Sequence, residues 1–258
     1  MSKRLQKTRI LDAMRGSCRA IADFLLPPKC PLCDAEDYLA GFGILYCSEC
    51  EAKLCPAPLN RCLRCAAEIG PYAKSDDGCV HCRQRTLRFD SVCCLGMYDT
   101  TLRRALLSAK WSWSAVRMKA LGRLLATHRR EQVEAIRADV IVPVPQSWQQ
   151  RLTRPFNPAW IVAAELAGSI QRPCVSDVLL RTRRTRPQKR VSVSQRVENQ
   201  AKSFGLRKSS LIEGRRIMVV DDVLTTGATI SEAARTLKSA GAASVHAVVI
   251  ARVLDHSA

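Results

Sequence analysis

Two adjacent carboxylates, Asp221 and Asp222, stand between an apolar run, Ile217-Met-Val-Val220, and a hydroxyl- and glycine-bearing stretch, Thr225-Thr-Gly-Ala-Thr229. Ile217 to Val220 suit a strand buried on both faces, as in a parallel sheet. The two acids then fall at the carboxyl end of that strand, where open α/β sheets place ligands. Thr225 to Thr229 fit a concave turn with converging backbone N–H groups. A helix is expected over 229–240, with Gly241 as its C-cap, and its positive N-terminus would face the same turn. Together these features make a phosphate cradle flanked by two carboxylates able to grip the hydroxyls of a phosphorylated sugar. A plain strand–turn–helix with capping acids would need only one acid and one Ser or Thr, not the full run.

A second kind of chemistry is written in cysteines. Cys30-Pro-Leu-Cys33 is followed after thirteen residues by Cys47-Ser-Glu-Cys50. Cys62-Leu-Arg-Cys65 is followed, again after thirteen, by Cys79-Val-His-Cys82, so adding 32 to each of the first four positions gives the second four. Such a frame is an internal repeat. One Cys-x-x-Cys knuckle presents two thiolates to a metal, and two knuckles complete a tetrahedral S4 site. Two structural zinc ions are expected, because an all-thiolate site suits zinc and leaves no position open for catalysis. Disulfides or an iron–sulfur cluster are the alternatives, and disulfides would want an oxidising compartment. Spacing allows local pairing (first knuckle with second, third with fourth) or interleaved pairing, local being simpler. His81 is read as a non-ligand. Cys18, Cys55, Cys93, Cys94 and Cys174 fall outside the frame.

The elements that must carry these groups follow from pattern. Strands are expected at 91–98 and 139–145, and 175–180 is a further candidate. Helices are expected at 101–110 and 113–130, and from Pro158 to about 169 with Asn157 as N-cap. Alternation of strands and helices from about residue 90 predicts an α/β fold, a parallel sheet covered on both faces. Leu11, Met14, Cys18, Ile21 and Leu25 mark one face of an amphipathic helix, giving an expected organisation of 1–27 (N-terminal helix), 28–88 (double zinc ribbon) and 89–258 (sheet domain). No stretch reaches the 18 apolar residues of a membrane span. A cytoplasmic location is therefore expected, with the N-terminal helix able to touch the inner face of a membrane. Forty-one basic against 23 acidic residues give a net charge of +18, a field that favours nucleic acid, phosphorylated metabolites or an anionic surface. The segment Arg181-Thr-Arg-Arg-Thr-Arg-Pro-Gln-Lys-Arg190 reads either as a solvated charge run or as a mobile basic lid over a pyrophosphate. Trp111 and Trp113 beside Lys110 read either as a stacking platform for single strands or as core, core being the favoured expectation.

The strand, paired acids and Thr-Thr-Gly-x-Thr loop resemble the phosphoribosyl-pyrophosphate (PRPP) signature of type I phosphoribosyltransferases. Joined to an N-terminal double zinc ribbon, they resemble the ComF family of competence and DNA-utilisation proteins. Further matches are Pro27-Pro28-Lys29-Cys30, Leu107 to Trp111, and Pro143-Val-Pro145 with Arg154, Phe156 and Asn157. Arg181, Thr185, Gln188, Arg196, Asn199 and Phe204 also fall at family spacing. The family usually has Gly where this chain has Pro155, which removes an N–H and fixes a torsion. The resemblance implies a phosphoribosyltransferase-like sheet domain that binds PRPP with Mg²⁺. Asp221 and Asp222 would act on the ribose as catalytic-site acids, within a PRPP-binding segment of Val220, Asp221, Asp222, Leu224, Thr225, Thr226, Gly227, Ala228 and Thr229. Pyrophosphate or lid candidates are Lys110, Arg154, Arg183, Arg184, Gln188 and Arg190, with Arg186 and Lys189 beside them. Implied partners are single-stranded DNA and DNA-uptake proteins, in a role in DNA utilisation. The alternative is an active pentosyltransferase in nucleotide salvage, its acceptor a nucleobase or amine, with no direct DNA role.

Overall fold

A computed structural model describes residues 29–36, 46–57, 60–70, 72, 78–111, 115–182, 203–207 and 209–254. The expected N-terminal helix, Trp113, and the candidates Arg183, Arg184, Gln188 and Arg190 lie outside the described residues. The chain forms two compact units, residues 1–50 and 51–258.

In the first unit a turn carries Cys30 and Cys33, and Cys47 immediately precedes helix α1 (Ser48–Leu54), whose first turn contains Cys50. The knuckle closes through the Cys30 N–H donating to the Ala35 carbonyl at 2.9 Å and the Asp34 N–H to the Cys30 carbonyl at 2.8 Å. In the second unit the Cys62 N–H donates to Ala67 at 2.9 Å and the Ala66 N–H to Cys62 at 2.7 Å. Asp34 (φ 57) and Ala66 (φ 56) even share the left-handed conformation. The 32-residue offset of the sequence is thus an offset of backbone geometry.

The second unit is built on a four-stranded, wholly parallel sheet. Its strands are β1 (Ser91–Met97), β2 (Val140–Pro143), β5 (Arg216–Leu224) and β6 (Ser244–Arg252), in the order β1-β6-β5-β2. Ile217, Met218, Val219 and Val220 have no exposed surface, as the apolar run requires when both faces are covered. On one face α7 (Ala228–Ser239) sets Ile230, Ala233, Ala234 and Leu237 against Ile217, Val219, Val245, Ala247 and Val249. Alternate strand residues point to the other face, which is packed by α3 (Val116–His128) and α6 (Pro158–Ile170). Those two helices cross closely at Gly122, where an added Cβ would lie 3.2 Å from Glu165 Cβ and 3.4 Å from Val162 Cα.

Four expectations are corrected. The candidate strand 175–180 is instead β3 (Leu179–Arg181), which pairs antiparallel with β4 (Phe204–Leu206) in a separate two-stranded sheet. Only Cys174 bridges the main sheet, at Ile141, because 176–178 turns the chain away. The helix expected over 113–130 gives way to α3 and a short α4 (Arg130–Ala135) at Arg129, whose φ of −121° is not helical. The strand carrying the acids does not stop at Val220 but runs to Leu224, since β6 continues to pair with it as far as Arg252. Trp111, at the end of α2 (Thr100–Trp111), is 66% exposed rather than core. The buried face of α2 is Leu102, Ala105, Leu106 and Ala109, and two residues beyond Ala109 is about 200° around the helix.

The edge strand β1 does not end in open backbone groups. The Val92 N–H donates to the Leu63 carbonyl at 2.9 Å. Arg61 Nη1 (3.1 Å) and Arg129 Nε (3.2 Å) donate to the Cys94 carbonyl, and Arg129 Nη2 donates to Leu95 at 2.7 Å. Among the described residues no helix is long and apolar enough to cross a membrane.

Candidate phosphoribosyl site and metal centres

Asp221 and Asp222 lie at the carboxyl rim of β5 and line a cleft of about 230 Å³ with Arg154, Arg181, Gln150 and Thr229. Three connections position the far wall. Asn157 Oδ1 accepts the Ala159 N–H at 3.1 Å and starts α6 with Pro158 at its first position, as the sequence pattern predicts. The Asn157 side-chain amide also donates to the Val144 carbonyl at 3.1 Å, fixing the exit of β2. Ser147 and Gln150 form a capping box that begins the short helix α5 (Trp148–Thr153) and sets Gln150 in the cleft.

The two acids differ in environment. Asp222 Oδ2 pairs with Lys110 Nζ at 2.8 Å, both side chains being largely buried. Lys110, expected to face pyrophosphate, is therefore held by an acid of the cleft. Asp221 Oδ1 accepts the Asp222 N–H at 2.9 Å. Burial first, then the adjacent Asp222 charge, pushes the Asp221 carboxyl up to about 7, against the pull of the Asp222 N–H, Lys110 and Arg181. Burial in turn lowers the Arg181 guanidinium, whose Cζ also sits 5.3 Å from the centre of the Phe204 ring.

A turn over 225–227 joins β5 to α7. Gly227 is at φ 81 and serves as N-cap of α7, while Thr226 Oγ1 accepts the Ala228 N–H at 3.3 Å. Of this segment Thr229 lines the cleft, whereas Thr225, Thr226 and Gly227 face Cys65, Cys82, Arg85, Leu87 and Phe89. Val220 and Leu224 act from beneath. Val220 is fully buried with its carbonyl accepting the Val144 N–H at 2.9 Å, and the Leu224 carbonyl accepts the Val253 N–H at 2.8 Å.

Arg252, absent from the sequence-derived candidates, ties this region together. It is 3% exposed. Its Nη1 donates to the carbonyls of Leu224 (3.1 Å), Thr225 and Val253, and its Nε donates to Cys65 at 2.8 Å. A signal for it exists: a lone arginine closes the apolar run Val245-His-Ala-Val-Val-Ile-Ala251 on the rim that carries the acids.

The eight framed cysteines form two groups, Cys30, Cys33, Cys47 and Cys50, and Cys62, Cys65, Cys79 and Cys82, with all sulfurs of a group within 4.8 Å of one another. The pairing is local, and His81 belongs to neither group. Four sulfurs held about 2.3 Å from one zinc lie about 3.8 Å apart. The separations here are 3.6 Å for Cys33–Cys47, 3.8 Å for Cys62–Cys82, 3.5 Å for Cys65–Cys79 and 3.9 Å for Cys79–Cys82. These fit a tetrahedral thiolate site and are far too long for disulfides. Both groups could hold zinc.

Beside the cleft, and sharing Pro145, Gln146, Arg154 and Asn157 with it, runs a more open groove bearing Arg151, Phe156 and Trp160. Among the described residues no carboxylate lines it. Trp160 is 44% exposed.

The family model for the phosphoribosyl transferase domain matches residues 117–257. "DNA utilization protein YhgH" of Escherichia coli K12 is 30% identical over 89% of this chain and 99% of its own length. "Competence protein F" of Haemophilus influenzae is 26% identical over 87% of this chain and 96% of its own. A shorter similarity, 47% identity over 47 residues covering 18% of this chain and 17% of the other, is to "Ribose-phosphate pyrophosphokinase 2" of Archaeoglobus fulgidus. A parallel sheet with paired acids on its carboxyl rim, the domain match and the full-length similarity agree: this chain belongs to the phosphoribosyl transferase domain family and, within it, to the ComF-type competence and DNA-utilisation proteins.

Proposed function

We propose that the cleft at the end of β5 binds PRPP with Mg²⁺, and that the groove beside it holds single-stranded DNA. The observation that carries the first half is one small cleft lined by Asp221, Asp222, Thr229, Arg154 and Arg181. Ribose hydroxyls donate to the carboxylates, and the 5′-phosphate accepts from amides and hydroxyls at the start of α7. The pyrophosphate lies toward Arg154 and Arg181, whose guanidinium groups neutralise it. The all-oxygen donors Asp221, Asp222 and Gln146 fit magnesium, a hard cation that is bound by a few carboxylates together with ligand phosphates. When bound, it offsets the charge of the departing pyrophosphate. Asp221 must be ionised to accept two hydroxyl protons, so ligand binding drives a proton off this carboxyl near neutral pH.

Calorimetry of PRPP–Mg²⁺ with the wild type and with Asp221→Asn/Asp222→Asn tests this reading. Binding by the wild type and its loss in the double variant are expected; equal heats in both sink it. Pyrophosphate release in the presence of a panel of nucleobases and amines would extend the reading to pentosyl transfer.

The DNA half is favoured by the groove, which among the described residues is lined by Arg151, Arg154, Phe156 and Trp160 and by no carboxylate. Bases stack on any exposed aromatic face, and arginines take the phosphates. Affinity for oligothymidylate should fall steeply with salt, by about 0.7 log units per log unit of salt for each phosphate neutralised. Trp160→Ala should cost about 1–3 kcal/mol. A flat salt response together with an unaffected Trp160 variant would remove the groove from consideration.

A further inference from the structure

The second cysteine group and the phosphate cradle share their partners. Arg252 donates through Nε to the Cys65 carbonyl at 2.8 Å and through Nη1 to the Leu224 carbonyl at 3.1 Å and to that of Thr225. One guanidinium thus links a metal knuckle to the turn after the paired acids. A second link is Ser231, in the first turn of α7. Its Oγ accepts the Arg88 N–H at 2.8 Å and donates to the Thr86 carbonyl at 3.3 Å, both residues following closely on Cys82. The third is steric: a Cβ on Gly227 would lie 3.1 Å from Leu87 Cδ2 and 3.5 Å from Phe89 Cε1. Leu224–Gly227 meet Cys65, Cys82, Arg85, Leu87 and Phe89 with no space for a water molecule between them.

What holds the knuckle side of this joint is the sulfur group itself. Among the described residues its buried cluster is Cys62, Cys65, Ala67, Cys79 and Cys82, with Ile69, Leu87 and Leu254 packed against it. So few apolar side chains do not make a self-sufficient core, and in modules of this kind metal binding supplies the folding free energy.

We propose that the metal held by Cys62, Cys65, Cys79 and Cys82 controls the phosphoribosyl site, through Arg252 and the 85–89 strap as positioning elements. This inference rests on the PRPP reading of the cradle. With the metal in place, the Cys65 carbonyl and the strap fix Arg252, Ser231 and the floor under Gly227. With the metal withdrawn, the guanidinium loses a fixed acceptor, the strap loosens, and the turn at 225–227 samples conformations unable to take a phosphate. If the competent turn is then populated a tenth of the time, the apparent affinity for ligand falls about tenfold. Metal in the first group, which belongs to the other compact unit, carries no such control. Two sites alike in sequence and knuckle geometry therefore have different consequences.

The test uses the full zinc-loaded chain. Zinc content, hydrogen exchange of the peptide 224–232 and PRPP–Mg²⁺ calorimetry are measured for the wild type, Cys33→Ser and Cys79→Ser. Each variant should lose one zinc. Only Cys79→Ser should exchange faster at 224–232 and lose about tenfold or more in affinity. Should Cys79→Ser fail to fold, graded chelation and zinc re-addition to the wild type give the same reading, with exchange at 224–232 following release from the second site and recovering with it. Arg252→Lys, which keeps the charge but not the fork, should keep two zinc ions and still loosen the turn. Unchanged exchange at 224–232 with the second site emptied overturns the coupling. A zinc-loaded wild type that binds no PRPP overturns the ligand reading instead, and the exchange measurement then decides the coupling by itself.

Discussion

Asp221→Asn should make the ligand-free protein more stable while destroying its site. In the fold this carboxyl is raised from an ordinary 3.8 to about 7 by burial and by Asp222. Holding it ionised at about pH 8 corresponds to about 4 kcal/mol against the native state. Screening at the open cleft reduces this, and about 1–2 kcal/mol is the expected gain on removing the charge. The asparagine keeps an Oδ1 to accept the Asp222 N–H, a bond of 2.9 Å in the native protein. The sign follows from the direction of the shift. A raised carboxyl costs nothing where it is neutral in both states, below about 4, and costs progressively more up to about 7. The advantage of the variant should thus be largest at about pH 8 and shrink by more than half by about pH 5. For a unit of this size it corresponds to a Tm rise of about 4 °C. Thermal scans of both proteins across that range read it directly, and calorimetry shows the accompanying loss of PRPP binding. A variant no more stable than the wild type at any pH would mean that Asp221 rests unstrained in the cleft.

Two further perturbations bear on the scaffold. Gly227→Ala places a side chain at φ 81 and a Cβ 3.1 Å from Leu87; a loss of about 1–2 kcal/mol is expected in urea denaturation, with weaker PRPP binding. Asp139 accepts the Arg216 N–H at 2.9 Å and pairs with its guanidinium at 2.9 Å, which draws the carboxyl down to about 2. Its lowered value means that this stabilisation is complete above about 4 and lost as pH falls through about 2. Asp139→Asn should cost about 0.5–1 kcal/mol at neutral pH, a gap that closes in acid.

What the sequence disclosed was the chemistry that is contiguous along the chain. Asp221, Asp222 and the Thr225–Thr229 turn are neighbours, so a joint role can be proposed for them without knowing the fold. Cys30 to Cys82 are readable as metal ligands because knuckle geometry is local, yet their equal spacing left two pairings open until the sulfurs were placed in space. Contributions made across the fold were hidden. Arg252 acts on Leu224, Thr225 and Cys65, which lie 28, 27 and 187 residues away. Lys110 carried a family-derived expectation, but its capture by Asp222 depends on how α2 meets the rim of β5. The short pair β3 and β4 escaped because Leu179–Arg181 is too brief to show a period, and its partner lies beyond residues 183–202.

The arginines along β1 bear on how this protein behaves in concentrated solution. A sheet that stops at an unsatisfied strand invites a second molecule to continue it, and Val92, Cys94 and Leu95 offer an apolar sequence well suited to such growth. Here a carbonyl from the neighbouring loop and two guanidinium groups have already taken main-chain positions there. The net charge of +18 also tends to keep copies apart. Removing Arg129 would convert that sealed border into a sticky one, and the first symptom would be fibrous precipitation on storage rather than any change in what the protein binds.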